Sequence, residues 1–292
     1  MNGDVADDMT VGVLLRAATA WLRGQGDDEA RLDVELLLAR TLEIDRAGVY
    51  AHLTDPLPKP RRTEFEALLA RHANGEPIAY ILGVREFYGL TFVVRPGVLI
   101  PRPETELLVE ETIAFARQRG LAQPRIIEVG TGSGAVAIAL AHALPAAIIS
   151  AVEIDEAAVQ IARENVVRHH VGDRVTIRRG DLLHGIGGDW DAVIGNLPYI
   201  PSQAVDALDR GVRDWEPRIA LDGGDDGLSP HRRLLAQAPS HLAAGGMVML
   251  EVADDRGPLA REVFRSALPG ATIDLLQDVF GRDRAVRAIL AA

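Results

Sequence analysis

The chain has 292 residues, of which 48% are hydrophobic and 25% are charged, a globular composition long enough for one large domain or two smaller ones. Its 31 lysines and arginines stand against 42 aspartates and glutamates, and the net charge of −11 argues against coating nucleic acid or an anionic membrane through bulk charge, although a local basic groove remains possible. The chain has no cysteine, which excludes disulfides, thiolate zinc sites, iron–sulfur clusters and cysteine nucleophiles.

No apolar run approaches the roughly 20 residues that a membrane-spanning helix needs. The acidic amino terminus, Met1–Asp4, lacks the basic and apolar regions of a signal peptide, so we expect a cytoplasmic protein without membrane contact. None of the eight histidines forms a His-x-x-x-His pair, and we predict no metal site.

The amino-terminal part of the chain is predicted to be helical. Apolar residues recur at helical spacing from about Val11 to Arg71, with an interruption at Asp55–Pro60 before the pattern resumes over Glu64–Ala73. We therefore predict a small all-helical domain over residues 1–76 that serves packing or substrate docking. Trp21, Trp190 and Trp215 are interpreted as packing residues.

A linker over residues 77–105 follows. The aromatic and β-branched run Phe87–Val94 predicts a hairpin or linker strands. The sequence Ile100–Glu106 contains two prolines that fix extended backbone, and Pro103 suits the first turn of a helix that continues over Leu107–Arg117.

Residues 106–292 are predicted to form a second domain of the α/β class. After Pro124, short apolar runs alternate with helical segments, and this alternation favours a parallel sheet with helices on both faces. The predicted strands are Arg125–Val129, Ile148–Val152, Val175–Arg178, Ala192–Gly195, Met247–Val252, Thr272–Gln277 and Arg284–Leu290, and the predicted helices between them are Ala135–Ala143, Ala157–His169 and Arg232–Leu242.

The strongest local signal is the glycine-rich loop after the first of these strands. Gly130, Gly132 and Gly134 alternate with Thr131 and Ser133, and a helix follows. Glycines there permit a tight turn and leave no side chain between the loop and a nucleotide-like ligand.

Two acids extend this signal. Glu153 ends the next strand, where a carboxylate can hydrogen-bond both hydroxyls of a ribose. Asp181, after the third strand, could accept a hydrogen bond from an adenine amino group.

The spacing of the loop discriminates between cofactors. A dinucleotide fingerprint reads Gly-x-Gly-x-x-Gly, whereas this loop reads Gly-x-Gly-x-Gly with Glu128 two residues ahead of it. An acid at that position would repel a pyrophosphate. The pattern resembles that of methyltransferases that use S-adenosyl-L-methionine, and this resemblance implies S-adenosyl-L-methionine as cofactor.

A second motif, Asn196-Leu197-Pro198-Tyr199, follows the strand Ala192–Gly195. An amide or aromatic amine nitrogen is a poor nucleophile because its lone pair is delocalised. Two fixed acceptors on its two N–H groups orient it and favour pyramidalisation. The Asn196 side-chain oxygen and the Leu197 carbonyl are the natural pair, while Pro198 restricts the backbone and Tyr199 offers a flat face to a planar group.

Longer motifs resemble the release factor glutamine methyltransferases over nearly the whole chain. They are Gly75–Gly83, Arg85–Gly89, Ile100–Glu106, Trp215–Leu221 and Gly223–Leu228. The resemblance implies a Rossmann-like seven-stranded methyltransferase domain behind a small helical domain. It also implies methylation of the side-chain amide of the glutamine in the Gly-Gly-Gln motif of class 1 peptide chain release factors.

The resemblance also assigns residues. It implies cofactor contacts at Gly130–Gly134, Glu153 and Leu182, and a glutamine site at Asn196–Tyr199. Arg102 and Glu104 would contribute to the substrate site or, alternatively, form an ion pair that fastens the linker to the catalytic domain. The family usually has Asn-Pro-Pro-Tyr, so Leu197 predicts a looser loop and slower turnover.

Other functions remain open at this point. A glutamine methyltransferase of another protein, such as a ribosomal protein, would share these motifs, and Asn-Leu-Pro-Tyr also resembles rRNA adenine N-methyltransferases. A catalytically inactive scaffold is disfavoured by the intact glycine loop, Glu153 and Asn196. We expect a monomer without stable nucleic-acid binding.

Overall fold

The structure is a computed structural model that describes residues 9–291, and its contacts divide them into two units. The first unit contains the described residues up to Gly83 together with Arg210–Trp215, and the second contains Val84–Asp209 and the residues from Glu216 onward. The predicted linker, 77–105, is thus shared between the two units. The acidic segment Met1–Asp4 lies outside the described residues.

The first unit is helical. Thr10 caps its first helix by accepting a hydrogen bond from the Val13 backbone N–H at 3.3 Å. Leu14, Ala18 and Leu22 bury one face of that helix, while Trp21 on the other side is 49% exposed, so its interpretation as a packing residue is wrong. The helices of this stretch are α1 (Val11–Arg23), α2 (Ala30–Leu42), α3 (Arg46–Ala51), α4 (Lys59–Ala73) and α5 (Ile78–Leu82).

A histidine bound by two carboxylates lies within this unit. His72 Nε2 is 3.1 Å from Asp27 Oδ2 and 3.1 Å from Asp33 Oδ2, and its Nδ1 is 3.1 Å from the Glu76 carbonyl oxygen. Burial alone lowers the pKa of His72, but Asp33, the Glu76 carbonyl and Asp27 raise it to about 9. The imidazolium therefore balances the two aspartates at neutral pH.

The second unit begins with a hairpin and continues as an α/β sheet. Tyr88 and Gly89 form the hairpin turn with φ of 52° and 70°, a pairing of positive values that two-residue hairpin turns require. Its elements are β1 (Val84–Phe87), β2 (Leu90–Val93), α6 (Glu106–Gln118), β3 (Arg125–Val129), α7 (Ala135–Ala143), β4 (Ile148–Glu153), α8 (Glu156–Arg168), β5 (Val175–Arg179), β6 (Trp190–Gly195) and α9 (Ser202–Val205).

The rest of the chain completes the sheet. The short helix α10 (Arg210–Arg213) belongs to the first unit, and α11 (Ser229–Gln237), β7 (Leu242–Glu251), α12 (Gly257–Ala267), β8 (Thr272–Gln277) and β9 (Asp283–Ile289) belong to the second. The strand order is β5-β4-β3-β6-β7-β9-β8, with β9 antiparallel to both of its neighbours and the other pairs parallel. This is the predicted seven-stranded α/β fold.

Core residues alternate between the two faces of the sheet. In β3, Ile126 packs with α6 and α7 in one apolar cluster, while Ile127 and Val129 pack with α11 and α12 in the other. The chain leaves β3 toward β4 on one side and returns to β6 on the other, so a crevice opens at the carboxyl edge of the parallel strands.

Prolines account for three differences from the predicted elements. Helix α4 begins at Lys59 instead of Glu64 because Pro60 is tolerated in a first turn. The predicted helix Arg232–Leu242 is displaced, since Pro230 opens α11 and Pro239 lies in a 3-10 turn before β7. Helix α12, with Pro258 in its first turn, was not predicted. Among residues 9–291, no helix is long and apolar enough to span a membrane.

Candidate active site

A cavity of about 330 Å³ opens at the carboxyl ends of β3, β4 and β6. Open α/β sheets bind ligands at such an edge. Most of the predicted site residues line the cavity, namely Arg102, Gly130, Thr131, Gly132, Ser133, Glu153, Asp181, Leu182, Asn196, Leu197 and Pro198. Gly134, Glu104 and Tyr199 are not part of its wall.

The glycine loop has a backbone conformation that favours glycine at each alternate position. Gly130, Gly132 and Gly134 have φ of 72°, 55° and 82°. A Cβ on Gly130 would lie 3.2 Å from Leu197 Cδ2 and 3.3 Å from the Asn196 carbonyl oxygen. The glycine at position 130 thus lets the loop approach the segment that carries the second motif.

Glu128 ties the loop to the helix that follows it. Its Oε2 accepts hydrogen bonds from Thr131 Oγ1 at 2.6 Å and from the Ala137 backbone N–H at 3.0 Å. Burial raises the pKa of Glu128 to about 8, although these two donors act in the opposite direction. The side chain is therefore mostly neutral at pH 7 and adds little negative charge to the cavity.

Glu153 joins the glycine loop to the end of β4. Its Oε2 accepts from the Gly132 backbone N–H at 2.9 Å, and its Oε1 accepts from the N–H groups of Ile154 at 2.8 Å and Asp155 at 3.0 Å. Burial raises its pKa, while the three backbone donors lower it. Oε1 already accepts two hydrogen bonds, but Oε2 accepts one and keeps a second lone pair that can accept from a ligand hydroxyl.

Asp181 and Leu182 form the wall beyond β5. Asp181 Oδ2 accepts from Arg233 Nη2 at 2.5 Å, so its charge is paired at the rim. Leu182 is buried with a φ of 53°, and the next backbone N–H, that of Leu183, donates to Gln237 Oε1 at 3.0 Å. Leu182 and Asp181 therefore present an apolar side chain and a hydrogen-bond acceptor next to each other at the cavity wall.

Asn196 follows β6, and its amide is oriented by a residue that sequence reasoning missed. Asn196 Nδ2 donates to Thr105 Oγ1 at 3.0 Å. This leaves Oδ1 as the acceptor that the side chain can offer to a ligand. Thr105 lies within the recognised sequence Ile100–Glu106, at the end of a 3-10 turn that Pro103 begins.

Leu197 is held by packing. Its side chain is 3% exposed and belongs to the apolar cluster that contains Val129 and Leu250. This packing restrains the loop where the family usually has a proline ring. The looser loop and slower turnover expected from Leu197 stay predictions, and this packing is the observation that opposes them.

Tyr199 is not among the residues that line the cavity. Its hydroxyl donates to Glu251 Oε1 at 3.2 Å, and burial together with the nearby Glu251 charge raises its pKa. Glu251 ends β7 and is buried, which raises its own pKa to about 7. An acidic residue at the end of the apolar strand Met247–Val252 was the signal that could have identified Glu251.

Arg102 and Glu104 have different partners. Arg102 Nη2 donates to Glu216 Oε1 at 2.5 Å, and Glu216 Oε2 accepts from the Ile100 backbone N–H at 3.1 Å. Glu104 lies 3.8 Å from Arg284. Arg102 thus lines the cavity and also fastens the segment before α6, as one of the two alternatives predicted. The ion pair that does so is formed with Glu216.

Asn165 is a further residue that the sequence did not reveal. It is fully buried in α8, and its Nδ2 donates to the carbonyl oxygens of Val93 at 3.0 Å and Ser133 at 2.9 Å, while its Oδ1 accepts from the Val93 N–H at 2.8 Å. It links the glycine loop to the hairpin. Nothing in the sequence distinguishes this buried asparagine from one on the exposed face of a helix.

Comparison with known proteins agrees with this architecture. Residues 13–83 match the family model described as the PrmC N-terminal domain, and residues 103–210 match the methyltransferase small domain. A methyltransferase from Pyrococcus furiosus of known structure has the same fold over 76% of this chain and 98% of its own, with a TM-score of 0.52 and 21% identity.

Several curated relatives are release factor glutamine methyltransferases, and two of them illustrate their similarity to this chain. The release factor glutamine methyltransferase of Geobacter sulfurreducens is 42% identical over 82% of this chain and 84% of its own length. That of Cereibacter sphaeroides is 38% identical over 95% of this chain and 98% of its own. Because this similarity extends along almost its entire length, the chain belongs to the release factor glutamine methyltransferase family.

Proposed function

We propose that this protein transfers a methyl group from S-adenosyl-L-methionine to the side-chain amide nitrogen of the glutamine in the Gly-Gly-Gln motif of class 1 release factors. The observation that carries the proposal is the placement of Asn196 beside the glycine loop in one cavity, with its Nδ2 held by Thr105. Membership of the family supports the choice of substrate.

The cavity fits the proposed cofactor. The glycines of the loop present backbone to the cavity without a side chain in between, and Glu153 can accept from a ribose hydroxyl. Leu182 offers an apolar surface to an adenine ring, with the Asp181 carboxylate next to it. We propose Gly130, Thr131, Gly132, Ser133, Glu153, Asp181, Leu182 and Asn196 as its contacts, with Gly134 shaping the loop. When bound, S-adenosyl-L-methionine would supply the methyl group from its sulfonium centre, and its sulfur would leave as a neutral thioether.

The residues of the second motif position the acceptor nitrogen. Asn196 Oδ1 and the Leu197 carbonyl accept the two N–H groups of the glutamine amide, and Pro198 limits the backbone conformation at Leu197. This geometry directs the nitrogen lone pair and stabilises the positive charge that develops during transfer. Arg102 and Glu216 hold the neighbouring wall.

Proton removal needs no strong base in this arrangement. The sulfonium is already cationic, and the methylated nitrogen can release its proton to water. Tyr199 cannot act as a base because its raised pKa keeps it protonated while it donates to Glu251. Its role in the proposal is to hold the chain that follows Asn196, and Glu104 contributes charge balance beside Arg284.

We further propose that the helical domain, residues 1–76, takes part in recognising the protein substrate. The half-exposed Trp21 supports this role, since a large apolar side chain on a helix surface is suited to contact with a protein. In the full chain, Trp21→Ala should raise KM for an intact release factor and leave KM for a short Gly-Gly-Gln peptide unchanged. A KM for the intact release factor that is the same in Trp21→Ala and in the wild type would contradict this role. The protein is proposed to act as a cytoplasmic monomer.

The test is transfer of labelled methyl to a purified class 1 release factor and to its Gly-Gly-Gln to Gly-Gly-Ala variant. Label on the first and none on the second is expected. Absence of label on both, with S-adenosyl-L-methionine binding intact, would contradict the proposal and favour another protein or an RNA adenine. The Asn-Leu-Pro-Tyr sequence is the observation that keeps the adenine alternative in the test.

A further inference from the structure

The Asn196 amide can perform its proposed task in only one of its two orientations. A carboxamide has an oxygen end that accepts and a nitrogen end that donates, and the two ends have nearly the same shape. The substrate nitrogen offers N–H donors, so Oδ1 must face it. With Nδ2 in that place, two donors would confront each other. A neighbour must therefore determine the orientation of Asn196.

Thr105 makes the contact but cannot by itself choose. Its Oγ1 accepts from Asn196 Nδ2 at 3.0 Å. A hydroxyl can equally donate its proton, in which case it would attract Asn196 Oδ1 and turn the amide around. The direction of the hydrogen bond between Thr105 and Asn196 is fixed only if the Thr105 hydroxyl donates to a second group that can accept but cannot donate.

Glu251 is such a group when it is ionised. The Thr105 hydroxyl is close enough to its carboxyl to lower its pKa, and Tyr199 donates to Oε1 at 3.2 Å. Oε2 is buried and has no hydrogen-bond partner among residues 9–291, so it is free to accept from the Thr105 hydroxyl, whose proton is not used in the contact with Asn196. The Glu251 side chain belongs to β7, far from Thr105 in the sequence, and it is only 3% exposed.

We propose that Glu251 is a positioning residue that acts through Thr105: its carboxylate accepts a hydrogen bond from the Thr105 hydroxyl, the Thr105 oxygen therefore accepts from Asn196 Nδ2, and Asn196 Oδ1 faces the substrate amide. This inference rests on the proposed function and adds two residues to it. Glu251 does not line the cavity and touches no reacting atom.

The inference predicts a dependence on pH. Tyr199, Glu104 and Arg284 face the Glu251 carboxyl, and the buried His231 of α11, whose pKa is lowered to about 4, donates from Nε2 to the Glu251 carbonyl oxygen at 2.8 Å. Burial raises the pKa of Glu251 to about 7, although Thr105 and Tyr199 act in the opposite direction. A protonated Glu251 can donate to Thr105 and reverse the series of hydrogen bonds. The kcat of the wild-type protein should therefore fall as the pH decreases through about 7.

The experiment compares E251Q, T105V, T105S and the double variant E251Q/T105V with the wild type in methyl transfer to a release factor. In E251Q, an amide that accepts from Tyr199 with its oxygen presents its NH2 group to Thr105. We expect kcat to fall about tenfold or more in E251Q and T105V, with the Kd for S-adenosyl-L-methionine unchanged. T105S keeps the hydroxyl and should retain the kcat of the wild type.

Non-additivity separates this role from a structural one. If Glu251 acts through Thr105, the double variant should be no slower than the slower single variant, and T105V should lose the decrease of kcat below about pH 7. Independent losses that multiply in the double variant would overturn the inference. An E251Q protein as active as the wild type would overturn it too. A wild type that transfers no methyl would contradict the proposed function as well, and that outcome is distinguishable because it appears before any variant is tested.

Discussion

A glutamine at position 153 should not be able to do what the Glu153 carboxylate does for the glycine loop. It accepts three backbone N–H groups, with Oε2 at 2.9 Å from Gly132 N and Oε1 at 2.8 Å and 3.0 Å from Ile154 N and Asp155 N. Glutamine has one oxygen, so its NH2 group must face a backbone donor on one side. At least one hydrogen bond to a charged acceptor is lost, which costs roughly 1.5–3 kcal/mol.

This loss falls on the loop that we propose as the cofactor site. If the NH2 group faces Gly132, the glycine loop loses its tie to β4, and the binding conformation becomes less populated. We therefore expect Glu153→Gln to weaken binding of S-adenosyl-L-methionine about tenfold to a hundredfold, which corresponds to the same free energy.

Isothermal titration calorimetry on the full chain measures this change directly. Glu156→Gln is the matched control, because Glu156 is an exposed glutamate of α8 whose contacts are Gln160 and Arg179 on the surface. It should bind the cofactor as the wild type does. A Kd of Glu153→Gln within threefold of the wild-type value would refute the reasoning.

Two further predictions concern stability. The pKa of His72 is raised from 6.5 to about 9 in the folded state, so its contribution is present below about pH 6.5 and is lost as the pH rises through about 9. Between pH 6.5 and 9.5, urea unfolding should show the wild type losing about 3 kcal/mol more than His72→Asn, since both proteins also lose the contributions of Glu128 and Glu251; parallel losses would contradict the assigned pKa. Leu197→Ala removes a side chain that is 3% exposed and should lower the free energy of unfolding by about 2–5 kcal/mol, whereas a loss under about 1 kcal/mol would show that packing does not hold this loop.

The fold was predictable because its signals are local. Strand β3 was predicted with its observed bounds, Arg125–Val129, since a short apolar run between a proline and a glycine has few alternatives. Strand β8 was likewise predicted at Thr272–Gln277. Helix α12 was missed because Pro258 interrupts the pattern in the sequence but is compatible with a first helical turn.

The site was predictable only where chemistry is visible in consecutive residues. The glycine loop and Asn196 are such segments, and the structure places both at one cavity. The contacts of Thr105 and Glu251 join residues from different parts of the chain, and no local pattern indicates that they meet. The contact of the Tyr199 hydroxyl with Glu251 is of the same kind, and the flat face that Tyr199 would offer to the substrate stays a prediction.

The central claim is that Asn196 positions the glutamine amide for methyl transfer. Its most direct test is single-turnover transfer to a release factor, with wild-type and Asn196→Ala proteins both saturated with S-adenosyl-L-methionine and the methylated residue located by mass spectrometry. We predict a methyl group on the glutamine of Gly-Gly-Gln and a rate about a hundredfold to a thousandfold lower for Asn196→Ala, with the Kd for the cofactor little changed. Equal rates for the two proteins, or a methyl group on another residue, would contradict the account.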